Sequence, residues 1–243
     1  MNIQRIVTLL IAVSLSLSVQ AKEIRFAMEA TYPPFEFTNS KNEVVGFDVD
    51  LAKALCDVLN TQCSFHIQAF DSLIASLKFR RFDAAISGMD ITPEREKQVL
   101  FSKPYYDNAA VFVVPKGKYK NVTELASLRL GIQNGSTHQK YIHDNYSKQL
   151  TLPYTSIQNA FIDLGNGRVD GVFGDSAVIN QWLTTTDKYE KLGKPVTDVN
   201  YFGRGYGIAM NIHNKPLQSE LNSALVIIKA NGVYDQIHQR WFN

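Results

Sequence analysis

A strand–helix–strand plan written twice along the chain constrains its fold more than any other feature of the sequence. In the first half, 23-EIRFAME-29 alternates apolar and polar residues, with Ile24, Phe26 and Met28 on one face, and predicts a strand. The stretch 44-VVGFDVDLAKALCDVLN-60 predicts a helix capped by Asp48, with Leu51, Leu55, Val58 and Leu59 facing a core. A strand over 64–70, a helix over 71–82 and a buried strand over 83–88 follow. The second half repeats the plan with a strand at 129-RLGIQ-133, a Gly-led helix at 134-NGSTHQKYIHDNY-146, a helix at 157–167 and a strand at 169–175. The segments 83-DAAISG-88 and 170-DGVFGD-175 each follow a helix with a basic or Gly-rich end, and each finishes on small residues. Alternation of this kind makes an α/β fold with largely parallel pairing. Two extended apolar stretches, 107–118 and 201–210, and a final helix at 217–232 returning to the start make the first lobe discontinuous. The expected boundaries are 22–109 with 198–243 for that lobe and 110–197 for the second.

The first 21 residues stand outside this plan. Arg5 precedes the apolar run 6-IVTLLIAVSLSLSV-19, and Val19-Gln20-Ala21 has the small-x-Ala pattern of a signal-peptidase site. The run is short for a membrane span, and no later segment is apolar enough for one. The expectation is an exported soluble chain starting near Lys22. The formal charge is +2, falling to +1 once Arg5 is removed, and no Lys/Arg run exceeds two residues, which argues against a nucleic-acid partner. In an oxidising compartment Cys56 and Cys63, the only two cysteines, suit a disulfide between a helix end and the next strand. A metal pair or a redox pair is the alternative, without the usual C-x-x-C spacing.

Candidate binding residues collect where strands end, since ligands of open α/β sheets sit outside the carboxyl ends of strands. These are Glu29 and Tyr32; Phe70; Ser87, Gly88, Asp90 and Arg95; Thr137 and His138 on a helix N-terminus; and Asp175. Arg95 is the odd member. Thr92-Pro93 reads as a helix start, so Arg95 falls in a first turn, where the helix dipole disfavours a cation. Either Glu94 and Glu96 neutralise it, or it grips an anion. With Asp90 five residues away, a ligand bearing both charges reconciles the pair: Arg95 holds a carboxylate through two parallel hydrogen bonds, and Asp175 and Asp90 accept from an ammonium. Taken singly, Tyr32 and Phe70 also suit a core or rim, Asp175 a turn or helix cap, and Glu29 a solvated strand end.

The stretches 31-TYPPFEF-37, 46-GFDVDLAKAL-55, 69-AFDSLIASLKFRRFDAAISGMDITPER-95, 102-SKPYY-106, 135-GSTHQKY-141 and 229-KANGVYDQIHQRWF-242 resemble the polar amino-acid-binding proteins of ABC importers, solute-binding protein family 3. Within that family the chain looks most like the periplasmic arginine-binding proteins, through GMDITPER, NGSTHQKY and RVDGVFGD. The resemblance implies a periplasmic binding protein-like type II fold, with two α/β lobes joined by two hinge strands around a ligand cleft. It implies that Arg95 binds the ligand carboxylate and Asp175 its ammonium, with Ser87, Gly88, Asp90 and Thr137 lining the same end. Tyr32 and Phe70 then flank the side chain, and Glu29 reaches its far end. Lysine/arginine/ornithine-binding relatives carry serine where this chain has Asp90 and glutamine where it has His138.

The function expected is therefore capture of L-arginine, or another basic amino acid, by a periplasmic monomer that delivers it to the membrane permease of an ABC importer. No cofactor or metal is expected. The five histidines, His66, His138, His143, His213 and His238, show no metal spacing, and neither a P-loop nor G-x-S-x-G is present. The glycine alternation 203-GRGYG-207 lacks the helix-opening context of a dinucleotide site and reads as hinge flexibility. The rivals are a dehydratase on the same scaffold, with Glu29 or Asp90 as acid or base, and an amino-acid-sensing subunit.

Overall fold

A computed structural model describes residues 22–243, and the leader expected over residues 1–21 lies outside the described residues. The chain runs through β1 (Glu23–Met28), the short strands β2 (Thr31–Tyr32), β3 (Glu36–Thr38) and β4 (Val44–Val45), α1 (Phe47–Val58), β5 (Gln62–Ile67), α2 (Leu73–Lys78), β6 (Ala84–Ala85), α3 (Pro93–Glu96) and β7 (Val99–Phe101). It crosses into β8 (Ala110–Pro115), β9 (Arg129–Gln133), α4 (Thr137–Asn145), β10 (Leu150–Tyr154), α5 (Ile157–Gly165), β11 (Gly171–Asp175), α6 (Ser176–Leu183) and β12 (Tyr189–Val196). It then returns through β13 (Ala209–Asn211), α7 (Lys215–Ala230) and α8 (Val233–Phe242).

Two five-stranded sheets result, ordered β5-β1-β6-β13-β7 and β10-β9-β11-β8-β12. The first three strands of each are parallel, and the last two pair antiparallel. Pairing is thus mixed rather than largely parallel. Each sheet takes in one strand, β13 or β8, that arrives from the other lobe without a helical crossover, and such a strand runs against its neighbour. The two segments likened in sequence, 83–88 and 170–175, hold β6 and β11, the third strand of each plan. Each opens with the same staple: Asp83 takes the backbone N–H and guanidinium of Arg25 on β1, and Asp170 takes those of Arg129 on β9.

Helix α1 corrects the expected cap. Gly46, not Asp48, precedes the helix, at φ +137° with room for no side chain, since a Cβ there meets the Phe35 carbonyl at 2.0 Å. Asp48 is buried in the first turn. Leu51 and Leu55 of α1 share one core with Leu221, Leu225 and Ile228 of α7. Cys56 on α1 and Cys63 on β5 form a disulfide, with Cα atoms 6.1 Å apart. The two crossings meet where Tyr206 donates its N–H to the Tyr106 carbonyl at 2.8 Å. Of the two stretches read as extended crossings, the first holds β8 and only the end of the second enters β13; the helix expected at 217–232 is α7, and α8 follows it as a further helix.

Candidate functional site

The candidate residues from strand ends and helix starts are drawn together by contacts between the two lobes, Glu29 with Gln133, Tyr32 with Asp175, Asp90 with Thr137 and Arg95 with Gly135. Glu29, one residue past β1, is buried, and its oxygens accept from Thr31 Oγ1 and from Gln133 Nε2. Burial pushes its carboxyl above the ordinary range, and the two hydrogen bonds pull the other way. Gln133 ends β9, so this contact joins the two lobes. A lone glutamine at a strand end carries no sequence signal of its own, and position past a parallel strand was the only available hint.

Thr92 caps α3 as its sequence predicts, accepting the Arg95 N–H at 3.2 Å. Neither neighbouring acid forms an ion pair with Arg95. Glu96 pairs with Arg204, and Glu94 faces Lys140 at 3.5 Å. The Arg95 side chain instead turns inward, 7% exposed, donating to the Asp90 carbonyl at 2.9 Å and the Gly135 carbonyl at 3.3 Å. Its guanidinium carbon lies 5.5 Å from the centre of the Phe70 ring, within cation–π range. Burial lowers its pKa, and Asp90 and Asp175 oppose that shift.

Asp175 ends β11 at the N-cap position of α6, yet its side chain makes no cap hydrogen bond. It is 2% exposed and accepts from Tyr32 of the other lobe and from Asn108 Nδ2, which also donates to Asp90 at 2.8 Å. Asp90 takes a second hydrogen bond from Thr137 Oγ1 at 2.6 Å. His138 Nε2 lies 3.0 Å from Asp175 Oδ1, off the angle of a hydrogen bond. Burial and the Asp175 charge push Asp90 up to about 7. For Asp175, burial acts upward but the nearby His138 ring and its hydrogen-bond donors outweigh it, leaving the carboxyl below the ordinary range. Asn108 escaped the sequence reading; it opens the first crossing, where only the fold shows that both aspartates meet it.

Ser87 and Gly88 follow β6. Ser87 Oγ accepts the Glu29 N–H at 2.9 Å and donates to buried Glu36 at 2.6 Å, while the Gly88 N–H donates to Asp48 at 2.9 Å. The arrangement offers one buried cation, Arg95, near two buried acids, Asp90 and Asp175, with a third acid, Glu29, reached from both lobes. Such a set suits a small ligand of mixed charge better than it suits acid–base chemistry, because the site acids already hold hydrogen-bond donors.

Residues 24–243 match the bacterial extracellular solute-binding proteins, family 3. ABC transporter arginine-binding protein 1 of Escherichia coli K12 is 55% identical over 222 residues, covering 91% of each chain. The arginine-binding periplasmic protein of Mannheimia haemolytica is 44% identical over 225 residues, covering 92% of each. A solved Salmonella typhimurium periplasmic binding protein of high arginine specificity superposes with a TM-score of 0.89 at 45% identity, over 92% of this chain and all of that one. With the family matched over nearly the whole described chain, and relatives this similar along their full length, the chain belongs to the bacterial extracellular solute-binding proteins, family 3.

Proposed function

We propose that this protein captures free L-arginine in the periplasm, between its two lobes, and delivers it to the membrane permease of an ABC importer. The relatives named above are arginine-binding proteins rather than enzymes, and they support this reading over a dehydratase. The observation that carries it is the pair of buried opposite charges, Arg95 from the first lobe and Asp175 from the second, with Glu29 held apart from them. Arg95 takes the ligand carboxylate and Asp175 the ammonium. Asp90, Ser87, Gly88, Thr137 and His138 line that end, Tyr32 and Phe70 flank the side chain, and Glu29, with Gln133, receives the guanidinium. The flat guanidinium stacks between aromatic rings at about 0.5–2 kcal/mol, which lysine lacks.

In this reading the lobes run over 22–109 with 198–243 and over 110–197, and ligand favours the form in which they meet, by no more than its differential affinity for that form. Residues 1–21 act as the export signal. The test is a thermal-shift screen of residues 22–243 against the twenty amino acids. Arginine should give the largest rise, and a larger rise with an acidic or apolar amino acid overturns the assignment.

A further inference from the structure

We propose that Glu36 and Asp48 share one proton, and that this bridged pair positions the Ser87–Gly88 end of β6 for ligand capture. The binding side of this inference rests on the arginine reading above; the proton sharing does not.

Both side chains are fully buried, at 0% exposure. Glu36 Oε1 accepts from Ser87, and Asp48 Oδ2 accepts the Gly88 N–H and the Tyr105 hydroxyl, each at 2.9 Å. The two remaining oxygens, Glu36 Oε2 and Asp48 Oδ1, are buried with no donor. The two acids are held as neighbours: the Asp48 N–H donates to the carbonyl of Phe35, next to Glu36, at 2.9 Å, and their side chains grip the adjacent residues Ser87 and Gly88. No Lys, Arg or His among the described residues forms an ion pair with either one.

Two adjacent carboxylates cannot both stay ionised in such a place without a cation. One proton between the orphan oxygens turns them into a donor and an acceptor. It belongs on Glu36: burial and the Asp48 charge push Glu36 well above the ordinary range, while Asp48 is raised only to about 6, because Gly88, Tyr105 and Glu36 hydrogen-bond to it against burial. The other titratable groups facing the pair are Glu29 at the end of β1, Tyr105 after β7 and Tyr234 on α8, none of them a cation.

The consequence reaches the cleft through short links. Ser87, its own proton spent on Glu36, is left to accept the Glu29 N–H, and Asp48 fixes the Ser87–Gly88 peptide through the Gly88 N–H. Neither acid needs to touch the ligand, so both are positioning residues. A group whose folded pKa is raised loses its stabilising contribution as pH rises from the unfolded value through the folded one. Loss of the Glu36 proton at alkaline pH should therefore weaken both the fold and the site.

Glu36→Gln copies the protonated form: its amide donates to Asp48, its carbonyl accepts from Ser87, and it cannot titrate. The experiment measures ligand-free melting temperature and arginine dissociation constant for wild type and E36Q between pH 6 and 9. Comparing the two proteins cancels the titration of arginine's α-amine and of Asp90. The expected ratio of wild-type to E36Q dissociation constants is near one at pH 6 and rises to tenfold or more by pH 9, with the wild-type melting temperature falling alongside. Parallel pH profiles, or a folded E36Q that binds tenfold more weakly at pH 6, overturn the proposal. If E36Q does not fold, the wild type decides by infrared spectroscopy: a buried carboxylic-acid band at pH 8 supports the shared proton, and its absence overturns it. If the wild type binds no arginine at any pH, the arginine reading fails and the melting comparison still judges the pair.

Discussion

Asp90 stands beside Asp175 with the Asn108 amide donating to both, and its carboxyl is pushed up to about 7 by burial and by that neighbour. An ammonium arriving between the two acids favours the ionised form, so ligand binding near pH 7 should expel a proton from Asp90. A raised folded pKa means the proton is held below pH 7 and lost above it, so this group alone should strengthen binding by about tenfold between pH 6 and 8. Calorimetry in buffers of different ionisation enthalpy checks the release, and Asp90→Asn should abolish it. Glu29→Gln should weaken arginine binding by about 2–5 kcal/mol, the range for truncating one partner of a buried charge pair. Glutamine binding should scarcely change, and equal losses for the two ligands would remove Glu29 from the guanidinium end.

The elements that carry these residues are short, and their ends matter more than their lengths. The turn before α4 brings Gly135 against the other lobe at φ +71°, where an added Cβ would lie 2.8 Å from the Asp71 Cβ. Gly135→Ala should raise the arginine dissociation constant about tenfold, because the added Cβ opposes the approach of Asp71 when the lobes meet around the ligand. The ligand-free melting temperature should fall as well, since an Ala held at positive φ costs about 1–2 kcal/mol with or without ligand. The Cys56–Cys63 bridge lies away from the cleft, between α1 and β5. Its removal by Cys56→Ser with Cys63→Ser should cost about 2–3 kcal/mol in denaturant unfolding and leave arginine affinity unchanged.

At the scale of the whole molecule, hydrogen bonds cross between the lobes at both ends of the site: Gln133 to Glu29 at one, and Tyr32 to Asp175 with Thr137 to Asp90 at the other. A ligand bridging the lobes stabilises the fold by mass action, about 2.7 kcal/mol at a hundredfold excess over its dissociation constant. Arg95→Met should erase that arginine-dependent gain in unfolding experiments while keeping the ligand-free transition; a retained gain would move the carboxylate elsewhere.

Local pattern carried much of this protein. Apolar alternation, helix periodicity and the Thr92-Pro93 start are properties of neighbouring residues, so the twice-written α/β plan and the inward helix faces could be read without coordinates. The Asp48 cap could not be judged that way, because Gly46 takes the cap position for lack of space beside Phe35, a residue eleven positions earlier. The strands β10 and β12 and the helix α6 also escaped; the two strands are held by pairing with β9 and β8, partners from elsewhere in the chain. The chain order alone placed Glu29 and Asp175 at strand ends and Arg95 in the first turn of a helix. That Gln133 reaches Glu29, that Asn108 joins two aspartates and that Glu36 neighbours Asp48 were decided by packing, because each pairing joins residues of separate elements that no local pattern brings together.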